Sequence, residues 1–223
     1  MALNKQILFL VIATLVAILF VLFPQIDLFI SGLFYSQERG FYLNRHPIFT
    51  AIHDLTRIIA ISLGVIYILG AALPYFTKKP LFNIERKYYI YAFLVLTIGA
   101  GLIVNGVFKE NWGRARPLQT ENFGGDKIFT PAFIISDQCE GNCSFTSGDP
   151  SVGFSLFAWC FILRRKFIAY AASFGLGTIL GATRVIQGAH FFSDVIFSGV
   201  FLYITAYILY KLLSKICNKD MAC

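Results

Sequence analysis

Three polar clusters interrupt an otherwise apolar sequence, and their residue types suit phosphate chemistry. They occupy residues 109–117, 144–149 and 184–194. They contain lysine and arginine side chains that suit a phosphate, together with a histidine and carboxyl groups. Ionisable groups at membrane depth cost roughly 2.5–3.5 kcal/mol each on insertion scales, so they are functional candidates. The clusters therefore indicate phosphoryl chemistry at a membrane surface.

The third cluster places a carboxylate close to a histidine. Asp194 follows His190 by four residues, so the two side chains share a face if a helix begins near His190. The carboxylate could then accept a hydrogen bond from one ring nitrogen and leave the other nitrogen as a nucleophile or base. The alternative is a polar histidine at the membrane interface with a local partner.

Three basic residues in the first and third clusters precede this histidine in the sequence. Lys109 and Arg116 end the third apolar segment, and Arg184 precedes His190 by a short turn. The planar fork of a guanidinium matches phosphate oxygens. Taken alone, Lys109 and Arg116 could equally anchor a helix end to lipid headgroups. Arg114, which lies between them, is expected to contact a headgroup or to pair with an acid.

The middle cluster stands where the fourth apolar segment begins. Ser147 and Gly148 would open that helix, and helix N-termini present free N–H groups and a positive dipole end to anions. A common helix cap is the alternative interpretation.

The composition is that of a membrane protein. The chain has 223 residues, of which 57% are hydrophobic and only 14% are charged, whereas a soluble domain has about 25% charged residues. A net charge of +7 could suggest nucleic acid or an anionic membrane surface. The basic residues flank apolar segments and form no stripe with interleaved aromatics, so we expect a membrane and no nucleic acid.

Six apolar segments are candidate membrane spans, and all but the fourth are near the length of about 20 residues that a bilayer requires. The sequence thus predicts an all-α integral membrane fold, a six-transmembrane-helix bundle formed by one domain over residues 1–223. The fourth segment is short and reaches full length only if residues 147–150 form its first turn. The candidates are residues 7–23, 58–76, 89–108, 151–163, 167–186 and 194–213.

The positive-inside rule gives the orientation. Basic residues concentrate in 78–87, 164–166 and 211–219, on the same side as Lys5. That side is expected to be the cytoplasm, with both termini there and the polar clusters on the opposite face. The first segment ends without an Ala-x-Ala site, so we expect a retained helix rather than a cleaved signal peptide.

Two cysteines lie four residues apart in the large loop between the first two clusters. Cys139 and Cys143 could form a disulfide if the loop faces an oxidising compartment. A metal site is the alternative, but no second pair or nearby histidine completes one. We therefore expect the disulfide and no metal.

In order along the chain, the three clusters form a known pattern. Lys109-x6-Arg116-Pro117, then Ser147-Gly148, then Arg184-x5-His190-x3-Asp194 resembles the tripartite motif of the type 2 phosphatidic acid phosphatase superfamily. The resemblance implies metal-independent hydrolysis of a phosphate ester through a phosphohistidine, without a cofactor. By position, His190 would be the nucleophile and Asp194 its orienting partner. The phosphate would be held by Lys109, Arg116, Ser147, Gly148 and Arg184.

The middle cluster departs from the family pattern. That block usually reads Pro-Ser-Gly-His, with the histidine as general acid, and here Asp149 takes its place. We expect Asp149 to become protonated when substrate binds and to serve as the general acid. Alternatively, Asp149 caps the fourth helix or pairs with Arg114.

The wider sequence from about residue 104 to 194 resembles the bacterial lipid A 4′-phosphatase branch, which also carries Gly-Asp in its middle block. The resemblance implies an inner-membrane enzyme that dephosphorylates lipid A on the periplasmic leaflet, with a phosphorylated membrane lipid as its partner. A phosphatase for undecaprenyl diphosphate or phosphatidylglycerol phosphate is the alternative within the enzyme class. A lipid-binding or transport protein on a degenerate phosphatase scaffold is the alternative outside it. The oligomeric state stays open.

A fourth polar group opens the second apolar segment on the same face as the clusters. It consists of His53, Asp54 and Arg57. Spacing of three residues allows an Asp54–Arg57 ion pair at the interface, which we favour over a contact to substrate.

Overall fold

The computed structural model describes residues 2–163 and 165–216 and is built from helices and one short hairpin. α1 (Ala2–Leu22) and α2 (Gln25–Gly32) meet at a bend of 80°. Pro24 lies in the bend, where its ring removes a backbone donor that a continuous helix would need. Two two-residue strands, β1 (Tyr35–Ser36) and β2 (Gly40–Phe41), then pair antiparallel.

The remaining helices form the body of the fold. α4 (Arg86–Leu94) continues through a π-helical stretch (Val95–Phe108) into α5 (Lys109–Asn111), so that Arg86–Asn111 is one rod. The others are α3 (Pro47–Thr77), α6 (Gly148–Phe154), α7 (Phe157–Cys160), α8 (Lys166–Ile186) and α9 (Phe192–Ile216).

Four helices in the described part of the chain are long and apolar enough to cross a membrane. They are Pro47–Thr77, Arg86–Asn111, Lys166–Ile186 and Phe192–Lys215, and the bent pair α1–α2 would make a fifth. The chain is therefore a mainly helical protein with several candidate spans, and the predicted count of six is not confirmed. Within the basic segments used for the orientation, Arg164 and Lys219 lie outside the described residues.

The predicted fourth span is the one that the structure changes. Residues 148–160 form two short helices, α6 and α7, rather than one continuous helix. The hydroxyls of Ser151 and Ser155 donate to the carbonyls of Gly148 and Val152, at 2.5 and 2.6 Å. Such local bonds compete with the regular helical pattern, and the apolar character of the segment gave no sign of the break.

Small residues let α6 pack closely against α8. A Cβ on Gly153 would collide with the backbone of Gly177 on α8. Glycine at such a contact lets membrane helices approach closely. This close packing fixes the last turn of α6 against α8. The residue before α6, Ser147, is bonded to α9, since its N–H donates to the Asp194 carbonyl at 3.2 Å and its carbonyl accepts from the Ser198 hydroxyl at 2.6 Å.

The loop between α5 and α6 folds back onto the helix ends. Cys139 and Cys143 form the expected disulfide within it. An aromatic cluster that includes Trp112, Phe133 and Phe145 packs the loop against Phe197 on α9. The first and third polar clusters are therefore held at the same end of the bundle as the middle one.

Candidate active site

A buried arginine ties three segments together below the polar clusters. Arg114 is 0% exposed. Its Nη2 lies 2.8 Å from Oδ2 of Asp27 on α2, and its Nη1 lies 2.6 Å from Oδ1 of Asp194 on α9. Further hydrogen bonds join Nη1 to Ser193 Oγ at 2.9 Å and Nε to the Thr130 carbonyl at 2.8 Å. Of the two expectations for Arg114, the acid partner is correct, and the sequence gave no indication of Asp27.

Asp194 is hydrogen-bonded to the neighbouring loop and not to the histidine. Its Oδ2 accepts hydrogen bonds from Ser144 Oγ at 2.5 Å and from the Phe191 N–H at 2.8 Å. The same oxygen lies 3.7 Å from His190 Nδ1, too far for a hydrogen bond. The expected direct hydrogen bond is not formed, because α9 begins only at Phe192 and His190 lies before its first turn. The role of Asp194 as the orienting partner of His190 stays a prediction.

His190 is instead oriented by a backbone carbonyl. Its ring is 2% exposed, and Nδ1 lies 2.7 Å from the carbonyl oxygen of Ser144. A carbonyl only accepts, so Nδ1 carries the hydrogen and Nε2 keeps its lone pair. Burial lowers the pKa of His190 to about 4; the Lys109 and Arg116 charges act in the same direction, and Asp194 opposes them. The imidazole is therefore neutral near pH 7, as a nitrogen nucleophile must be.

The three predicted phosphate-binding cations lie together around this histidine. Burial lowers the pKa of Arg116, and the Arg184 charge adds to that effect, while Asp149 and Asp194 oppose it. Arg116 Nη2 donates to the carbonyl and to Oδ1 of Asn142, at 2.7 and 2.9 Å. Cations held this close to one another repel, and an anion between them would relieve that repulsion.

Arg184 and Lys109 occupy fixed positions in the same cluster. Arg184 Nη1 donates to Gln187 Oε1 at 2.7 Å. The Nζ of Lys109 lies 3.3 Å from the point that a Cβ on Gly148 would occupy. The absence of a side chain at Gly148 thus makes room for the ammonium beside the first turn of α6.

The middle cluster presents polar atoms without partners to this group of cations. The hydroxyls of Ser147 and Thr146 are buried, and neither has a hydrogen-bond partner within residues 2–163 and 165–216. Ser147 is the N-cap residue of α6, but its side chain makes no capping bond. Because buried polar groups are normally satisfied, unpaired hydroxyls beside three cations fit an anion-binding site.

Asp149 contacts a residue that the sequence did not connect to it. Its Oδ2 lies 2.6 Å from His53 Nδ1 on α3 and 3.2 Å from Arg184 Nε. Neither expected alternative is found, because Arg114 is fully engaged with Asp27 and Asp194 and the N-cap of α6 is Ser147. No local pattern could reveal the contact, since His53 and Asp149 are separated by 96 positions.

A cavity opens from Asp149 along α3. Its volume is about 550 Å³. Asp54 and Arg57 are exposed on this cavity and form no ion pair with each other in the described part of the chain, so the favoured pairing is wrong. The polar lining residues are His53, Asp54, Thr56, Arg57, Asn105 and Asp149, and the apolar ones include Ile58, Ile61 and Val152.

The helical architecture and the clustered cations around a buried histidine agree with a family comparison. Residues 90–216 match the model of the PAP2 superfamily. The chain belongs to this superfamily, the type 2 phosphatidic acid phosphatases.

The curated relatives are similar over most of their length. A protein of Francisella tularensis subsp. novicida named lipid A 4′-phosphatase is 42% identical over 214 residues, covering 94% of this chain and 96% of the relative. A lipid A 4′-phosphatase of Rhizobium leguminosarum is 34% identical, covering 78% of this chain and 81% of the relative. No solved structure matches significantly.

Removing the buried guanidinium should destabilise the protein. Arg114→Met would leave the carboxylates of Asp27 and Asp194 buried without their counter-charge, and breaking a buried pair in this way costs about 3–5 kcal/mol. Thermal unfolding in detergent should show a clearly lower midpoint. The matched variant Arg116→Met, whose guanidinium bonds only to Asn142 in the described chain, should unfold near the wild-type temperature. Equal midpoints for the two variants would contradict the structural role of Arg114.

A methyl group at the start of α6 should impair catalysis without unfolding the protein. In Gly148→Ala, the new Cβ would lie 2.6 Å from Asn105 Oδ1 and 3.3 Å from Lys109 Nζ. Displacing a catalytic group by about 1 Å can cost on the order of 10²-fold in rate. Gly175→Ala on α8, where a Cβ meets nothing within 4 Å, is the control. Phosphatase assays should show a loss for the first variant only, and equal rates would indicate that Lys109 has no part in the site.

Proposed function

We propose that the protein hydrolyses a phosphate monoester of lipid A, at the 4′ position, through a covalent phosphate on His190. The observation that carries the proposal is a neutral, buried imidazole with a free Nε2, placed among Lys109, Arg116 and Arg184. The names of the curated relatives supply the substrate. The geometry supplies a reason for a two-step reaction.

In the first step, Nε2 of His190 attacks the phosphorus as the bond to the sugar oxygen breaks. Phosphate-monoester hydrolysis is among the slowest uncatalysed reactions, and charge on the transferring group must be stabilised throughout. Lys109, Arg116 and Arg184 face that charge, and the Ser147 hydroxyl and Gly148 N–H are the neutral donors. Because Nδ1 keeps its hydrogen bond to Ser144, the positive charge that develops on the ring is stabilised by the carbonyl and by the nearby Asp194.

The sugar oxygen must gain a proton as it leaves, and we place the group that donates this proton at or beside Asp149. Asp149 lies at the start of α6, beside Arg184 and next to the cavity. In the second step, water attacks the phosphorus, the P–N bond breaks, and the proton released by water returns to the same side. Inorganic phosphate is then released, and neutral His190 is regenerated.

The cavity along α3 suits a lipid substrate. Polar residues line it near Asp149, whereas Ile58 and Ile61 lie further along the helix and are exposed. A phosphorylated sugar could occupy the polar end while acyl chains follow the apolar face into the membrane. The site therefore belongs at a membrane–water interface.

We propose six membrane passes, with the broken segment 148–163 as the fourth, both termini in the cytoplasm and the site facing the periplasm of an inner membrane. Basic residues at Lys78, Lys79, Arg86 and Lys87 lie at the end of the bundle opposite to His190, which supports this orientation. The Cys139–Cys143 disulfide is consistent with an oxidising compartment.

Purified protein should release phosphate from lipid A, and mass spectrometry should place the loss at the 4′ position. His190→Ala should lower the rate by at least about 10³-fold, as removal of a covalent nucleophile does. His46→Ala is the matched control, since in the described chain the His46 side chain forms no hydrogen bond or ion pair and its ring lies beside the Phe49 ring. Chelators should leave the rate unchanged.

The same assay should include undecaprenyl diphosphate and phosphatidylglycerol phosphate. Hydrolysis of either lipid in preference to lipid A would contradict the proposal that lipid A is the substrate. Lipid binding without phosphate release would favour a binding or transport protein.

Thiol labelling should test the orientation. After reduction, an impermeant reagent should reach Cys139 or Cys143 in cells whose outer membrane has been opened. Cys217 and Cys223, which lie outside the described residues, should react only after the inner membrane is permeabilised. The opposite pattern would reverse the topology.

A further inference from the structure

One short contact joins the first half of the chain to the middle cluster. His53 Nδ1 on α3 lies 2.6 Å from Asp149 Oδ2 on α6. The same oxygen lies 3.2 Å from Arg184 Nε. Oδ2 of Asp149 thus has a ring nitrogen at hydrogen-bond distance and a guanidinium nitrogen at ion-pair distance. Asp149 occupies the position where the superfamily motif is expected to place a histidine.

We propose that His53 is the general acid of this site and that Asp149 holds it in place. The motif position keeps the carboxylate, and the imidazole comes from a different helix. This inference rests on the hydrolysis proposed above. It assigns the role of proton donor to His53 rather than to Asp149.

The hydrogen-bonding geometry favours the ring as the proton donor. Oδ2 of Asp149 faces a nitrogen of His53 and a nitrogen of Arg184, and an arginine cannot accept. The positive charge of Arg184 beside Oδ2 favours the ionised carboxylate over a protonated one. The hydrogen between His53 and Asp149 is therefore best placed on Nδ1, with the carboxylate as acceptor.

The second ring nitrogen is available to a substrate. Within the described residues, His53 Nε2 has no hydrogen-bond partner, and the side chain is 39% exposed. His53 lines the cavity together with Gly148, which belongs to the proposed phosphate site. A sugar oxygen leaving that phosphate would depart into the space that His53 faces.

The charges that face His53 come from three directions. Asp149 on α6 contacts the ring, and Arg184 on α8 reaches it through that carboxylate. Asp54 and Arg57 lie on α3 itself and line the same cavity. Asp149 is the carboxylate in direct contact, so it is the group that stabilises a positively charged ring and fixes its orientation.

The proton balance closes over the two steps. Imidazolium Nε2–H of His53 donates to the sugar oxygen as the P–O bond breaks and His190 takes the phosphoryl group. His53 is then neutral. When water attacks the phosphohistidine, Nε2 of His53 accepts the proton of that water, the P–N bond breaks, and the imidazolium is restored.

The competing role for this pair is structural, because the contact also fastens α3 to α6. His53→Asn separates the two roles, since the amide nitrogen of asparagine takes a position near Nδ1 and can still donate to Asp149. It has no group equivalent to Nε2–H. Asp149→Asn instead leaves the imidazole but removes the carboxylate that orients and charges it.

The test compares two leaving groups on the purified full-length protein. A sugar phosphate needs a proton on its leaving oxygen, whereas 4-nitrophenyl phosphate does not. His53→Asn should lower phosphate release from lipid A by about 10²–10⁴-fold, the usual contribution of a positioned acid. On 4-nitrophenyl phosphate it should lower the rate less than about tenfold, because no acid is required there. His46→Asn should leave both rates unchanged.

Three further measurements decide the outcome. Asp149→Asn should show the same split, and the double variant should be no slower than the slower single variant, because both act on one proton. The pH profile of the rate on lipid A should differ between wild type and His53→Asn, because the substitution removes the proposed proton donor. Equal losses on both substrates with an unchanged pH profile, or no loss on lipid A, would overturn the role of His53.

Whether wild-type protein hydrolyses lipid A is a separate question from the ratios of variant to wild-type rates. If wild-type protein releases no phosphate from lipid A but hydrolyses another alkyl phosphate lipid, the proposed substrate fails. The comparison of His53→Asn with wild type is then made on that lipid, against the same aryl ester.

Discussion

The site depends on the buried guanidinium of Arg114 and its two carboxylates. The three residues come from different segments: Asp27 lies on α2, Arg114 in the loop that follows α5, and Asp194 on α9. All three side chains are 0% exposed. A buried ion pair adds little net stability over apolar packing, but losing one partner is costly. Its effect here is to fix how three segments meet. Asp194 is thereby held where it binds the Ser144 hydroxyl, and the Ser144 carbonyl then orients His190.

Charge around the site is arranged so that His190, the proposed nucleophile, stays neutral while its surroundings are positive. Burial and two nearby cations keep His190 unprotonated, and the same cations, Lys109 and Arg116, are available to phosphate oxygens. Asp194 lies close enough to stabilise the ring when it becomes positive, without a direct hydrogen bond. Fixed charges of this kind need no reorganisation during the reaction. The buried, unpaired Ser147 hydroxyl adds a neutral donor in the same place.

The sequence predicted the parts of this arrangement that follow local rules. The long apolar segments around α3, α8 and α9 are helices, and the ordered clusters do meet at one end of the bundle. The break between α6 and α7 was missed because hydroxyl-to-carbonyl bonds leave no trace in apolar periodicity. The His53–Asp149 contact was missed because it joins positions 96 apart. The direct His190–Asp194 bond was expected only on the assumption that α9 begins two residues earlier than it does.

The proposed mechanism requires His190 to act as a covalent nucleophile through Nε2. Rapid quenching at alkaline pH during turnover of a phosphate-labelled lipid A, followed by NMR of the phosphorylated protein, tests this most directly. The structure predicts a phosphoramidate on Nε2 of His190, because Nδ1 is held by the Ser144 carbonyl. The signal should be absent in His190→Ala. Full hydrolysis with no trapped phosphate, or phosphate attached to Nδ1, would contradict the account.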